Sequence, residues 1–174
     1  MELFKENGFE ICEHYTSNIY NKVVSEEPLY DDRYMTFLGK GYEIISPKVQ
    51  DFDKVIKELY ELLTELYSDF PVYKNVLYED FAMVFSDYRY IIDMSMVKMA
   101  YYEGKAVGFF VSVPDYGNRV YHLQNIMNLV KVLWIKKKPK RYVMLYMGVD
   151  QAHRGLGKAL VGSIMEELRT SGLP

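Results

Sequence analysis

The chain has 174 residues, 49% hydrophobic and 26% charged, with a formal net charge of −3. A chain of this size and balance folds as one globular domain, or one with an appendage, and buries roughly 70% of its unfolded surface without a metal or disulfide. Collagen-like, low-complexity and disordered classes are excluded, and the single cysteine, Cys12, has no partner for an intrachain bridge, so a reduced, cytoplasmic, metal-free protein is expected.

Met1 to Gly8 is too acidic and too poor in apolar residues for a secretory leader. No apolar run approaches the ~18 residues of a membrane span. Charge is unevenly distributed. Residues 1–70 hold 7 Lys+Arg against 15 Asp+Glu, and residues 71–174 hold 14 against 9. A positive C-terminal part suits an anionic ligand, although an uneven surface is the plainer explanation. The 17 Tyr and 9 Phe are expected in cores and half-buried strands rather than in a nucleic-acid stacking platform.

In chain order, Leu3 to Asn7 reads as the last turn of a helix, with Gly8 after it. Phe9 to Thr16 alternates as a strand would. Residues 17–41 form a connection holding a short helix from about Asp31 to Leu38, started by Asp31 or Asp32 and ended by Gly39. Tyr42 to Ile45 is a strand closed by Ser46-Pro47. Asp51 then caps the most periodic helix in the chain. Phe52, Val55, Ile56, Leu59, Leu62, Leu63 and Leu66 make one apolar stripe, and Pro71 stops it.

A second helix is expected from about Tyr78 to Tyr88, burying Phe81, Val84, Phe85 and Tyr88. Val97 to Tyr102 and Ala106 to Val113 are two strands joined at Glu103-Gly104-Lys105, the strongest hairpin signal here. Pro114 to Asn118 is a turn cluster. Val120, Leu123, Met127, Val130 and Trp134 keep helical spacing, and the basic run Lys136 to Arg141 follows. Tyr142 to Val149 is apolar on both faces, which predicts a central strand. A glycine-containing turn leads into a helix reaching about Arg169 and closed by Gly172. There is no internal repeat.

The chemistry concentrates where that strand meets the last helix, in Asp150-Gln151-Ala152-His153-Arg154-Gly155-Leu156-Gly157-Lys158-Ala159. The first N–H groups of a helix lack internal partners and carry partial positive charge. Gly155 and Gly157 remove side chains that would block approach, and Arg154 and Lys158 add charge. Together these features predict an anion site, most plausibly for a nucleotide-derived phosphate. A tight turn that needs glycine only for its backbone explains a lone Gly-x-Gly equally well. The loop is not a Walker motif, because Ala159 follows Lys158, and Leu160 stands where a dinucleotide fingerprint needs glycine.

Arg154-x-x-Gly157-x-Ala159, after a strand ending Gly148-Val149-Asp150, resembles the pyrophosphate motif of the GNAT superfamily of N-acetyltransferases. The order of strand, two helices, hairpin and strand before it is similar too. Val107-Gly108-Phe109 and Pro114-Asp115-Tyr116 resemble more specifically a bacterial subgroup of unassigned substrate. The resemblance covers roughly residues 41–172. It implies an α/β fold: a mixed, mostly antiparallel sheet with flanking helices.

The resemblance also implies that acetyl-CoA, or another acyl-CoA, is the co-substrate and an unknown amine, small or peptidic, the acceptor. On this basis the backbone of Met147 and Val149 faces the pantetheine arm. The N–H groups of Arg154, Gly155, Leu156, Gly157, Lys158 and Ala159 hold the pyrophosphate.

Two departures from the family follow. The strand 142–149 lacks the carboxylate base often found there, so no catalytic residue is assigned; Tyr146 is read as core rather than as a group near the thioester. The chain stops at Pro174, where the family continues with further strands. Residues 1–40 resemble the helix–strand tail of a preceding unit of the same kind plus a linker, and residues 41–174 the N-terminal two-thirds of a domain. A homodimer in which Phe9 to Thr16 completes the partner's sheet is the corresponding expectation.

Other residues take plain readings. His153 is expected exposed in its turn, His14 and His122 at or near the surface, and Cys12 small and buried rather than nucleophilic. Nucleic-acid binding lacks support from charge or motif. Two alternatives to acetyl transfer stay open: a non-catalytic acyl-CoA-binding or scaffolding module, and a peripheral membrane module using residues 120–141. For the latter, a solvated basic turn is the simpler expectation.

Overall fold

A two-residue turn organises the sheet. Glu103 and Gly104 both have positive φ, 50° and 78°, the backbone of a type I′ hairpin whose twist matches the strands it joins. It connects β2 (Val97–Tyr102) to β3 (Lys105–Pro114). With β1 (Tyr42–Ile45) and β4 (Tyr142–Val149) they form a four-stranded sheet in the order β1-β2-β3-β4. Every pairing among the described residues is antiparallel, in keeping with the mostly antiparallel sheet expected. The computed structural model describes residues 2–10, 16–19, 25–68, 74, 76–122 and 124–171.

Helices cover both faces, which makes the architecture α/β. One face carries α2 (Pro28–Gly39) and α6 (Leu156–Thr170). There Phe37, Met96, Ala100, Phe110, Leu160 and Ile164 form one core. The other face carries α3 (Phe52–Tyr67) and α4 (Tyr78–Ser86), with Phe52, Val55, Ile56, Leu59, Met99 and Phe109 packed between. Successive β3 residues supply the two cores, Phe109 to the second and Phe110 to the first, as strand alternation requires. The predicted stripe of α3 is the buried one. Asp51 stands at its N-cap without a side-chain hydrogen bond, after a short 3-10 turn at Val49–Asp51.

The helix expected near Asp31 begins earlier, at Pro28. A proline there lacks an N–H that would be unsatisfied anyway, and its φ is already helical. Asp31 does not cap from outside. Its Oδ2 instead accepts the Glu27 amide at 2.8 Å from within the first turn, and its Oδ1 accepts from Arg169 Nη1 at 2.9 Å. Opposite, α6 presents Gly162, where a Cβ would lie 2.5 Å from the Tyr30 carbonyl oxygen. The two helices therefore pack backbone against backbone.

α4 is shorter than expected and continues as a 3-10 turn at Asp87–Tyr90. Phe81 and Phe85 face the core, whereas Val84 and Tyr88 are exposed.

The helical spacing expected from Val120 to Trp134 does not form one helix. Gly117–His122 is a 3-10 turn, and α5 (Ile126–Lys137) starts only at the Asn125 cap, whose Oδ1 accepts the Met127 amide at 2.9 Å. Val132 and Ile135 turn inward onto Ile91 and Tyr116. Met127, Val130 and Trp134 turn outward.

Among the described residues β4 stands at the edge of the sheet, where a central position was expected. Val143 to Met147 are each 40–56% exposed.

At the N-terminus α1 (Glu2–Glu6) ends as expected, with the Gly8 amide donating to the Lys5 carbonyl at 3.0 Å. The strand expected over Phe9 to Thr16 lies mostly outside the described residues, as do Cys12, His14, Pro71, Leu123 and Gly172.

Candidate functional site

The edge of β4 that no described strand occupies has a defined phase. The Asp150 amide donates to the Val107 carbonyl at 2.9 Å, which makes that pair a hydrogen-bonded one. Alternation along the antiparallel ladder then turns the N–H and C=O of Val149 and Met147 away from β3, toward the open edge. The register skips between Val111–Tyr146 and Ser112–Met144, leaving Leu145 as an extra, unpaired residue in a β-bulge. Bulges re-aim the backbone and recur beside active sites. Tyr146, next to the bulge, is 56% exposed and so is not the core residue the sequence suggested.

Beyond Val149 the chain turns sharply under the control of Asp150. Its Oδ1 accepts the Ala152 amide and its carbonyl accepts the His153 amide, both at 2.9 Å. His153 is not the exposed turn histidine expected. Its Nδ1 pairs with the Tyr42 hydroxyl at 2.7 Å, and its ring stands edge-on to Tyr42 and Tyr102. Burial, and then the neighbouring Tyr102, push the Tyr42 hydroxyl above the ordinary tyrosine range. This contact spans 111 positions, and nothing local in the sequence announces it.

Gly155 follows as the N-cap of α6 with φ 96°, a conformation that only glycine adopts without strain. No side chain caps the helix and no acidic residue lies in its first turn. The Lys158 amide bonds back to the Gly155 carbonyl at 3.2 Å. Among the described residues, no other segment takes the amides of Arg154, Gly155, Leu156 or Gly157. The side chains of Leu156 and Ala159 are wholly buried in the core beneath α6. Anchored in this way, the first turn of α6 offers main-chain groups rather than these side chains. Arg154 and Lys158 are exposed and form no ion pair with described residues.

Gly157 sits across from β4. A Cβ built on it would meet Met147 Cε at 3.5 Å, Met147 Sδ at 3.7 Å and a Val149 methyl at 3.9 Å, all ordinary contacts. Its φ is not positive. Neither the backbone nor the packing of this chain demands glycine there. The missing side chain leaves room for something outside the protein, against an uncapped helix end that favours negative charge. The structure thus brings Met147, Val149, Gly155, Gly157 and Lys158 to one corner, where the open strand edge meets the helix start.

β4 carries no carboxylate. A half-buried acid–phenol pair lies at the far end of this strand, where the Tyr142 hydroxyl donates to Asp93 Oδ2 at 2.6 Å. Burial, and then this bond to Asp93, raise the Tyr142 hydroxyl well above its usual range. No group of three or more potential metal ligands gathers among the described residues. No helix among them is long and apolar enough to cross a membrane.

Compared with known families, residues 56–174 match the model of the acetyltransferase (GNAT) family. No curated protein gives a significant match.

Proposed function

Because the chain belongs to the GNAT acetyltransferase family, we propose that it binds an acyl-CoA and passes the acyl group, most simply acetyl, to an amine. The observation that supports this reading best is Gly157. It is a glycine that the fold itself does not need, placed between an uncapped helix N-terminus and the open edge of β4.

In this proposal the amides from Arg154 to Gly157 receive the pyrophosphate, with the side chains of Arg154 and Lys158 adding positive charge; the Lys158 amide, expected among the donors, is engaged with the Gly155 carbonyl. The outward N–H and C=O of Met147 and Val149 pair with the amides of the pantetheine arm, as an added strand would. The acceptor nitrogen attacks the thioester carbonyl carbon. A C–N bond forms, the C–S bond breaks, the amine loses a proton, and the leaving thiolate gains one. The chain contributes position and an edge amide that polarises the carbonyl oxygen.

A second reading, binding without turnover, is favoured by the lack of a carboxylate on β4. Calorimetric titration with acetyl-CoA, followed by thiol release assayed over a panel of primary amines, separates the two. Binding with thiol release supports the transferase. Binding with no release for any amine assigns the second reading, and absence of binding overturns both.

A further inference from the structure

α5 points its more apolar side away from the protein. Val132 is completely buried, which fixes the inward direction. On the opposite side Ile126, Val130, Leu133 and Trp134 are 76, 59, 47 and 56% exposed. Single exposed apolar residues need no explanation, but a continuous helix face does. Lys137 continues the same face by spacing, and the chain runs on through Lys138-Pro139-Lys140-Arg141.

Two of these cations are engaged. Lys136 Nζ donates to the Tyr90 carbonyl at 2.7 Å, and Arg141 pairs with Asp115 at 2.9 Å. Lys137, Lys138 and Lys140 form no ion pair with described residues. A notch of about 180 Å³ opens between the helix end and this loop, lined by Asp115, Trp134, Ile135, Lys138, Lys140 and Arg141. Apolar face, indole and unpaired ammonium groups therefore meet on one side of the molecule.

We propose that α5 and the loop after it seat the protein on an anionic lipid surface. The helix lies in the plane of the interface with Ile126, Val130 and Leu133 entering the acyl boundary. Trp134 sits at the headgroup level, and Lys138 and Lys140 take lipid phosphates at the notch. With 12 residues, α5 is too short to span a bilayer of about 30 Å. A nucleic acid would engage the lysines and leave the apolar face wet, whereas an anionic bilayer satisfies both. The proposal is independent of acyl transfer.

Trp134 is the chain's only tryptophan, so its fluorescence reports this helix alone. Mixing the full chain with phosphatidylserine-containing vesicles should shift its emission to the blue, and brominated lipid should quench it. Pure phosphatidylcholine vesicles should do neither. Lys138→Gln and Lys140→Gln should weaken partition about fivefold each. Val130→Ser with Leu133→Ser should weaken it further while leaving the thermal melt in place, because both side chains are exposed. Emission unmoved by anionic vesicles overturns the proposal, as does an equal shift on neutral ones. A blue shift without lipid that grows with protein concentration also overturns it, since a second copy then covers the face.

Discussion

Gly157 faces Met147 across the corner between α6 and β4, and a methyl group added to the glycine would touch the thioether at 3.5 Å without collision. That distance separates two explanations for glycine in this loop. Gly155, at φ 96°, is there for the backbone. At Gly157 neither the backbone nor the packing requires glycine.

Gly157→Ala should therefore fold and gain stability, by about 0.4–1 kcal/mol, since alanine costs less backbone entropy in a helix. The same change should weaken acetyl-CoA binding about tenfold or more, because the added methyl group holds the phosphates away from the amides. Gly157→Glu should abolish it. Thermal melts and calorimetry on the same preparations check both. A stabilised alanine variant that binds undiminished would remove the spatial argument.

Gly162→Ala should do the reverse of what helix propensity predicts. Its Cβ would stand 2.5 Å from the Tyr30 carbonyl oxygen, and a main-chain atom on α2 cannot rotate away. Separating the helices should cost about 1–3 kcal/mol despite the gain in propensity. Urea unfolding measures it, and an unchanged or raised midpoint would show that α2 does not rest on α6.

Lys98 on β2 is 6% exposed, with its Nζ 2.8 Å from Glu167 Oε2 and 2.7 Å from Ser46 Oγ. Removing the carboxylate strands a buried cation, whereas removing the cation leaves a carboxylate that water can reach. Glu167→Gln should cost about 2–3 kcal/mol and Lys98→Met less than about 1 kcal/mol. The order of the two, read from chemical denaturation, is the result that matters. Equal losses would mean that the ion pair is not what satisfies Lys98.

Asp31 gives a pH signature. The Arg169 guanidinium, and then the Glu27 amide, hold its carboxyl below the usual carboxylate range. A group depressed in the folded state stabilises fully above its unfolded value. That contribution is lost as pH falls through the folded one. Asp31→Asn should thus lower stability at pH 7 by no more than about 1 kcal/mol, since the pair is partly solvated. The gap between variant and parent should close below about pH 4. A gap that persists undiminished at pH 2 would assign the effect to packing.

Legibility in the sequence followed locality. The α3 stripe from Phe52 to Leu62 and the Glu103-Gly104 turn depend on neighbours within a few positions, and both were readable. The start of α5 was not. The Asn125 cap restarts the helix, so the spacing from Val120 to Trp134 counts across a break. β4 misleads for a different reason. A strand apolar on both faces looks central whether its second neighbour is a strand or a site, and only the sheet order distinguishes them. The Arg154-to-Ala159 loop was legible as a candidate anion site because its amides and glycines are sequential. The His153–Tyr42 pair that steadies it was not, because its members meet only through the fold.

The most direct test is residue-resolved. With the amide resonances assigned, titration of coenzyme A should move the signals of Arg154, Gly155, Leu156 and Gly157 together with those of Met147 and Val149, and saturate them at one common affinity. Perturbations confined to other parts of the sheet, or none at all at saturating ligand, would contradict the placement of the diphosphate at the start of α6.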